Sequence, residues 1–229
     1  MDLKLKTPIY ETIPIGILLA AVGGFLDAYT YMLRGGVFAN AQTGNIVLLG
    51  IEAAQGNWKQ ILFHLLPILA FSLGVLLTEL IKKFTISLGL ISYHHIIIFV
   101  EILLLFVIGW IPLHFSNAVV NIAISFICSI QVCSFRILEG SPYATTMCTG
   151  NLRSAMDCFC QWLFEKNMLA KKKCVRYLII IVVFCMGAAF GSIFSFFLKE
   201  RAIWIACGIL LIIFIWMLFN QQQKTTVKS

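Results

Sequence analysis

Two carboxylates and a tripeptide that occurs twice are the groups of this chain with chemical potential in apolar surroundings. Asp27 stands in the stretch GGFLDAYTYMLR and Glu101 in FVEILLLF. An ionisable side chain at bilayer depth is expensive and therefore marks function: a proton relay, a ligand for a coupling ion, or a paired counter-charge. Arg34 follows Asp27 by seven residues, so both lie on one helical face, with Thr30 and Tyr31 between them. Contact with Arg34 is thus the structural alternative for Asp27. For Glu101 the alternative is a packing or interfacial role near His94 and His95. The third group is the polar knot Gln42-Thr43-Gly44-Asn45. Its tripeptide returns as Thr149-Gly150-Asn151, 106 residues later.

Thr43 reads as a helix N-cap, and Gly44 lets the chain turn closely. Each motif therefore predicts a short helix, over residues 43–55 and 149–165, preceded by irregular chain. If these half-helices re-enter the membrane, their free N–H groups meet near the midplane and favour anions or polar acceptors. Asn45 and Asn151 would add amides there. The alternative is two capping turns on interfacial helices. Arg153 favours that alternative, because in the re-entrant geometry it lies about 6 Å from the midplane at 1.5 Å per residue. Asp157, four residues on, suits it as a partner.

The elements that position these groups follow from hydropathy. The chain has 229 residues, of which 60% are hydrophobic and 12% charged, far from the balance of soluble domains. Six stretches approach the length needed to cross hydrocarbon: 13–33, 60–81, 94–113, 117–138, 175–198 and 202–219. Lipid requires their backbones to be helical. Lys4 and Lys6 before an apolar run resemble a signal peptide, but Pro14 and the lack of a small-residue cleavage site favour a retained helix. With six spans, thirteen Lys and Arg fall on the side of the termini, against Arg34, Lys59, Lys199 and Arg201 on the other. Both termini are therefore expected in the cytoplasm. The net charge of +7 is accounted for by this topology, with the lipid bilayer as partner and no nucleic acid.

Small residues recur every fourth position in the first helix (Gly16, Ala20, Gly24, Ala28) and in the fourth (Asn121, Ser125, Ser129, Cys133), at an offset of 105. Ala70, Gly74 and Thr78 of the second helix match Gly187, Gly191 and Ser195 of the fifth at 117, which places an insertion after Glu165. Trp110 and Trp216 return to 106. The expectation is an all-α membrane protein of two three-helix repeats, residues 1–113 and 114–229, each with one half-helix. An odd number of spans per repeat inverts one against the other, an architecture that recurs in transporters with a site at the midplane. Small-residue faces let helices approach closely and also suit self-association into a homo-oligomer.

The substrate-binding set expected on this basis is Asp27, Arg34, Gln42, Thr43, Gly44, Asn45, Asn121, Gln131, Thr149, Gly150 and Asn151, with Asp27 and Glu101 available for proton or ion coupling. A small polar or anionic solute is the expected ligand. A non-transporting scaffold or regulator and an intramembrane enzyme are the competing classes. No Gly-x-Ser-x-Gly, His-Glu-x-x-His or Walker pattern is present, so no catalytic residues and no cofactor are expected. The eight cysteines include only a lone Cys158-x-Cys160 without a nearby histidine, so no metal site is expected either.

Residues 23–50, GGFLDAYTYMLRGGVFANAQTGNIVLLG, and the second CTGN at 148–151 together make a recognisable pattern. In it the chain resembles the YoaK family of small bacterial integral membrane proteins over its whole length. The resemblance implies a multi-pass protein of the bacterial inner membrane, and it carries over no catalytic residue and no substrate.

Overall fold

The computed structural model describes residues 8–88, 93–146 and 148–226. After a 3-10 turn (Ile9–Glu11) come α1 (Ile13–Leu33), α2 (Gln42–Ala54), α3 (Trp58–Leu88), α4 (Tyr93–Ile108) and α5 (Asn117–Ser134). A small hairpin of β1 (Ile137–Leu138) and β2 (Ser141–Pro142) leads to α6 (Cys148–Glu165), α7 (Met168–Leu198) and α8 (Ile203–Thr226). Among the described residues four helical stretches are long and apolar enough to cross a membrane: Ile13–Leu33, Trp58–Phe84, Asn117–Ser134 and Met168–Asn220. The last runs through α7, the turn Lys199–Ala202 and α8. This is an all-α membrane protein.

Local chemistry sets the boundaries. Pro14 sits in the first turn of α1, where a missing N–H costs nothing. Gly35 and Gly36 leave that helix with φ of 89° and 78°. Asn167 caps α7, its Oδ1 accepting from the N–H groups of Leu169 and Ala170 at 3.0 and 3.2 Å.

Several expectations need correction. The fifth expected span begins earlier: α7 starts at Met168 and takes the basic run Lys171–Lys173 into a helix. The residues after Glu165, where the insertion was expected, are helical from Met168 onward. The fourth span ends at Ser134, not 138, because Glu139 and Gly140 take φ of 44° and 73° and close a two-residue hairpin. Glu139 then pairs with Arg176, which ties the hairpin to α7. At 16 residues α4 is shorter than the expected 94–113. The half-helices start one residue early, and Thr43 caps nothing: the N-cap position of α2 is Ala41 and makes no side-chain bond.

Packing is reciprocal. α1 lies against α7, and α3 lies against α5. α2 packs on α3 and α6 on α7; α4 packs on both α5 and α8, and α8 also on α1. Exchanging α1–α4 with α5–α8 maps this set of pairs onto itself. The small-residue faces explain how. A Cβ on Gly24 would strike the Phe184 carbonyl and come within 2.9 Å of the Ala188 nitrogen. One on Gly187 would meet the backbone of Ala21, and one on Gly191 the Phe25 carbonyl at 2.7 Å. One on Gly74 would meet the Ser129 hydroxyl, with the Phe126 carbonyl at 2.7 Å. Each stripe thus seats on a stripe from the other half of the chain. The main core joins α1, α4, α5 and α8; a second cluster joins Ala20 of α1 to the hairpin, α6 and α7.

Candidate functional site

The irregular chain before each Thr-Gly-Asn dives into the protein. Val37, Ala39, Asn40, Thr145 and Thr146 are all buried. What holds these segments in place is the asparagine of the motif. Asn45 Oδ1 accepts from the Phe38 N–H at 3.0 Å, and its Nδ2 donates to the Phe38 carbonyl at 2.7 Å. Asn151 does the same seven residues back: Oδ1 accepts from the Ala144 N–H at 3.2 Å and Nδ2 donates to the Ala144 carbonyl at 2.6 Å. Backbone groups in buried irregular chain must be paired, and these two clasps pair them. Gln42 adds a bond from Nε2 to the Ala39 carbonyl and accepts from Asn45 at 2.9 Å.

The tips of the two segments meet at one residue. Asn40 Nδ2 donates to the Gly23 carbonyl at 3.2 Å. Thr146, 106 residues after Asn40, presses its methyl group on the Cα of Gly23, where any Cβ would collide with it. Gly23 is the middle residue of α1, Ile13–Leu33. Two chains of irregular backbone therefore converge on the midpoint of a buried helix. The start of α6 is close by, since Cys148 lies within electrostatic reach of Asp27. Across the centre, Cys128 of α5 senses Asp27, Glu101 and the Asn40 side chain. Asn40 Oδ1, Thr145 Oγ1 and Thr146 Oγ1 are buried without a hydrogen-bond partner among the described residues.

The two carboxylates have different settings. Asp27 Oδ1 accepts the Asn40 N–H at 2.6 Å, and the N–H groups of Ala39 and Ala41 also point to it. Asp27 thus places a carboxyl group that accepts from the backbone leading into α2. Glu101 is 1% exposed, and neither of its oxygens has a partner among the described residues.

The expected pairing of Asp27 with Arg34 does not form. At the end of α1 the Arg34 backbone leaves the helix with φ −122° and ψ 27°. Its guanidinium donates to the Ile111 and Pro112 carbonyls at 2.8 and 3.2 Å and to the Tyr29 hydroxyl at 3.2 Å. Asn121 joins that end of the molecule, donating to the Arg34 carbonyl at 2.9 Å. Gln131 lies ten residues further along α5, buried, with neither amide atom paired among the described residues. Asn45 and Asn151 spend their amides on their own loops and, among the described residues, make no bond to Asp27 or Asn121. Gly44 is half-buried beneath the Phe38 ring. Thr43, Thr149 and Gly150 face outward. Arg153 and Asp157 form an exposed contact of 3.9 Å.

Sequence reasoning missed Asn40, Cys128 and Thr146. The 106-residue offset was the available signal: it relates Asn40 to Thr146 as it relates the two motifs.

The larger cavity, about 300 Å³, lies off this centre, at the end of the protein where α3 and α5 finish. Tyr10, Tyr93, His94 and Phe135 supply its aromatic wall, with the Tyr10 and His94 rings stacked 3.8 Å apart. Lys82, Arg136 and Glu11 supply its charges. Lys82 donates to the Cys133 carbonyl at 2.7 Å and, with Arg136, pairs with Glu79. A second cavity, about 80 Å³, is lined by Glu101 among isoleucines and shares Tyr93 with the first. Behind the hairpin, burial pushes the phenol of Tyr143 above its ordinary range, and its hydroxyl has no partner.

Helical architecture, apolar exterior and buried polar centre define an integral membrane protein. The chain belongs to the family described as "Protein of unknown function (DUF1275)", whose pattern matches residues 15–216. It is similar to the UPF0700 transmembrane protein YoaK of Bacillus subtilis (strain 168), with 27% identity over 185 aligned positions, covering 75% of this chain and 78% of that protein. No solved structure matches it.

Proposed function

We propose that this protein is a permease or facilitator for a small polar or anionic solute, working at the centre where the two irregular segments meet. In this reading six helices cross the bacterial inner membrane as two inverted halves, both termini are cytoplasmic, and the Thr-Gly-Asn helices are re-entrant. The observation that carries it is the meeting of Asn40 and Thr146 at Gly23. Irregular backbone at mid-membrane depth is tolerated only inside protein or beside water, and broken helices of this kind commonly frame transport sites. The reciprocal helix pairing supports the inverted halves. The unpaired Asn40 Oδ1 and Thr146 Oγ1 offer polar contacts, and Asp27 and Glu101 are the carboxylates available for coupling. The reading needs no bond-making chemistry.

One observation favours a non-transporting scaffold or regulator: Thr43, Thr149 and Gly150 face away from the centre, where a partner could read them. Uptake of a metabolite panel by vesicles containing the purified protein separates the two. Transport predicts uptake of at least one polar or anionic solute and its loss, by about tenfold or more, in Asn40→Ala, since a lost polar contact of about 1.4 kcal/mol is a factor of ten. Uptake unaffected by Asn40→Ala would place the site elsewhere; absence of uptake across the panel would favour the scaffold.

A further inference from the structure

We propose that Glu101 is a proton-loading carboxylate that exchanges with the face of the protein bearing Lys82 and Arg136, so that the ion coupled to transport is a proton. The proton exchange stands on geometry alone; the coupling rests on the transport reading above.

Glu101 is the more buried of the two membrane carboxylates and has no hydrogen-bond partner on either oxygen among the described residues. Among the described residues no cation pairs with it. Cys128 of α5 lies within electrostatic reach of both Glu101 and Asp27, and Cys207 of α8, whose thiol donates to the Ile102 carbonyl at 3.8 Å, lies within reach of Glu101. The side chains lining its cavity from α3, α4 and α5 are Ile81, Ile96, Ile97, Val100, Ile127 and Ile130, with Tyr93 at the head of its own helix. A carboxylate without partner or solvent is unfavourable as an anion and far less so as a neutral acid. Glu101 is therefore stable in this setting with its proton on, and it ionises when water or a conformational change brings it a partner.

A metal cation does not fit the same place. Sodium-like and larger ions need several oxygen ligands at once. Among the described residues the only other side-chain oxygen on the cavity wall is that of Tyr93, eight residues away and about 12 Å along the helix axis. A proton requires one oxygen. Asp27, by contrast, is held by backbone N–H groups that need its lone pairs, which commits it to structure.

The access route is marked by the shared wall. The cavity of about 80 Å³ beside Glu101 and the cavity of about 300 Å³ beside Lys82, Arg136 and Glu11 both include Tyr93. The device also belongs to one half only. The residue 106 positions after Glu101 is Cys207, on the helix that packs against α4.

Dicyclohexylcarbodiimide tests this on the full chain in detergent. The reagent takes up a protonated acid: the carboxyl proton moves to a diimide nitrogen, the carboxyl oxygen bonds to the central carbon, and the adduct rearranges to a stable N-acylurea that peptide mapping detects by mass. The expected result is modification at Glu101 that falls by about tenfold per pH unit once the acid ionises, and its absence in Glu101→Gln. An unmodified Glu101, or labelling unchanged by pH, overturns the proposal. A purely structural Glu101 predicts instead a lower melting temperature in Glu101→Gln with no pH-dependent labelling. The panel of uptake measurements judges transport separately. Labelling without uptake removes the coupling and keeps the proton site; uptake without labelling removes Glu101 and keeps the transporter.

Discussion

The two Thr-Gly-Asn segments share a clasp and differ in their cap. Asn45 and Asn151 grip the backbone seven residues before them with the same pair of bonds. At the tip, the first segment gives its N–H groups to Asp27, whereas the second reaches Gly23 through the methyl group of Thr146. The position on α5 that corresponds to Asp27, Val132 or Cys133, holds no acid. The difference teaches that the repeated motif builds the scaffold and the unrepeated residues give each half its task. Asp27 gives the first segment a hold beyond its clasp.

The comparison breaks first where the halves interlock. Gly24→Leu should prevent assembly of α1 on α7, because its side chain meets the α7 backbone at Phe184 and Ala188, which cannot yield. The expected loss is about 4 kcal/mol or more, read as failure to purify a folded monodisperse protein or a collapse in melting temperature. Gly74→Ala at the matching contact of α3 on α5 should cost less, because one of its two obstacles is the rotatable Ser129 hydroxyl. Equal losses would show that the two crossings are equally rigid.

The clasps come next. Asn45→Ala and Asn151→Ala each strand a buried N–H and carbonyl, at about 1–3 kcal/mol per abandoned group. Thermal melting should fall in both, and more in Asn45→Ala, which also loses its bond to Gln42. A neutral Asn151→Ala would mean that the second segment is held by something other than its clasp.

Asp27→Asn should have a smaller effect, about 1–2 kcal/mol, since the amide oxygen still accepts the Asn40 N–H but the second acceptor oxygen offered to the N–H groups of Ala39 and Ala41 is gone. Melting should drop while uptake persists. Abolished uptake with unchanged melting would make Asp27 the coupling residue in place of Glu101. Smallest of all, Arg153→Ala should shift stability by less than about 0.5 kcal/mol, because its 3.9 Å contact with Asp157 is solvent-exposed on both sides. A larger loss would mean that this face of α6 is covered in the membrane.

Much of this was legible in the residues themselves. Hydropathy marked the helices, and the offset of 106 related the motifs, because both are statements about periodicity. The small-residue stripes identified which faces approach closely but not which helix they approach; that α1 seats on α7 depends on chain crossings that no local pattern encodes. The cap at Thr43 was misplaced because Asp27, fifteen residues before the start of α2, serves that helix end through space. Helical spacing offers Arg34 as an alternative partner for Asp27, yet the helix ends at that residue, and its side chain swings to the carbonyls of Ile111 and Pro112. Asn40 and Thr146 escaped notice because nothing in their types distinguishes them until the fold brings them to Gly23.

The central claim is that the two segments enter from opposite faces of the membrane. Single cysteines at the far ends of the two half-helices, Gln55→Cys and Glu165→Cys, test it in a background where the exposed Cys160 and Cys185 are replaced by serine. A membrane-impermeant maleimide applied to intact cells should label Gln55→Cys, and should label Glu165→Cys only after the membrane is opened. Labelling of both from the same side would contradict the inverted halves and, with them, the meeting of two re-entrant segments at the middle of α1.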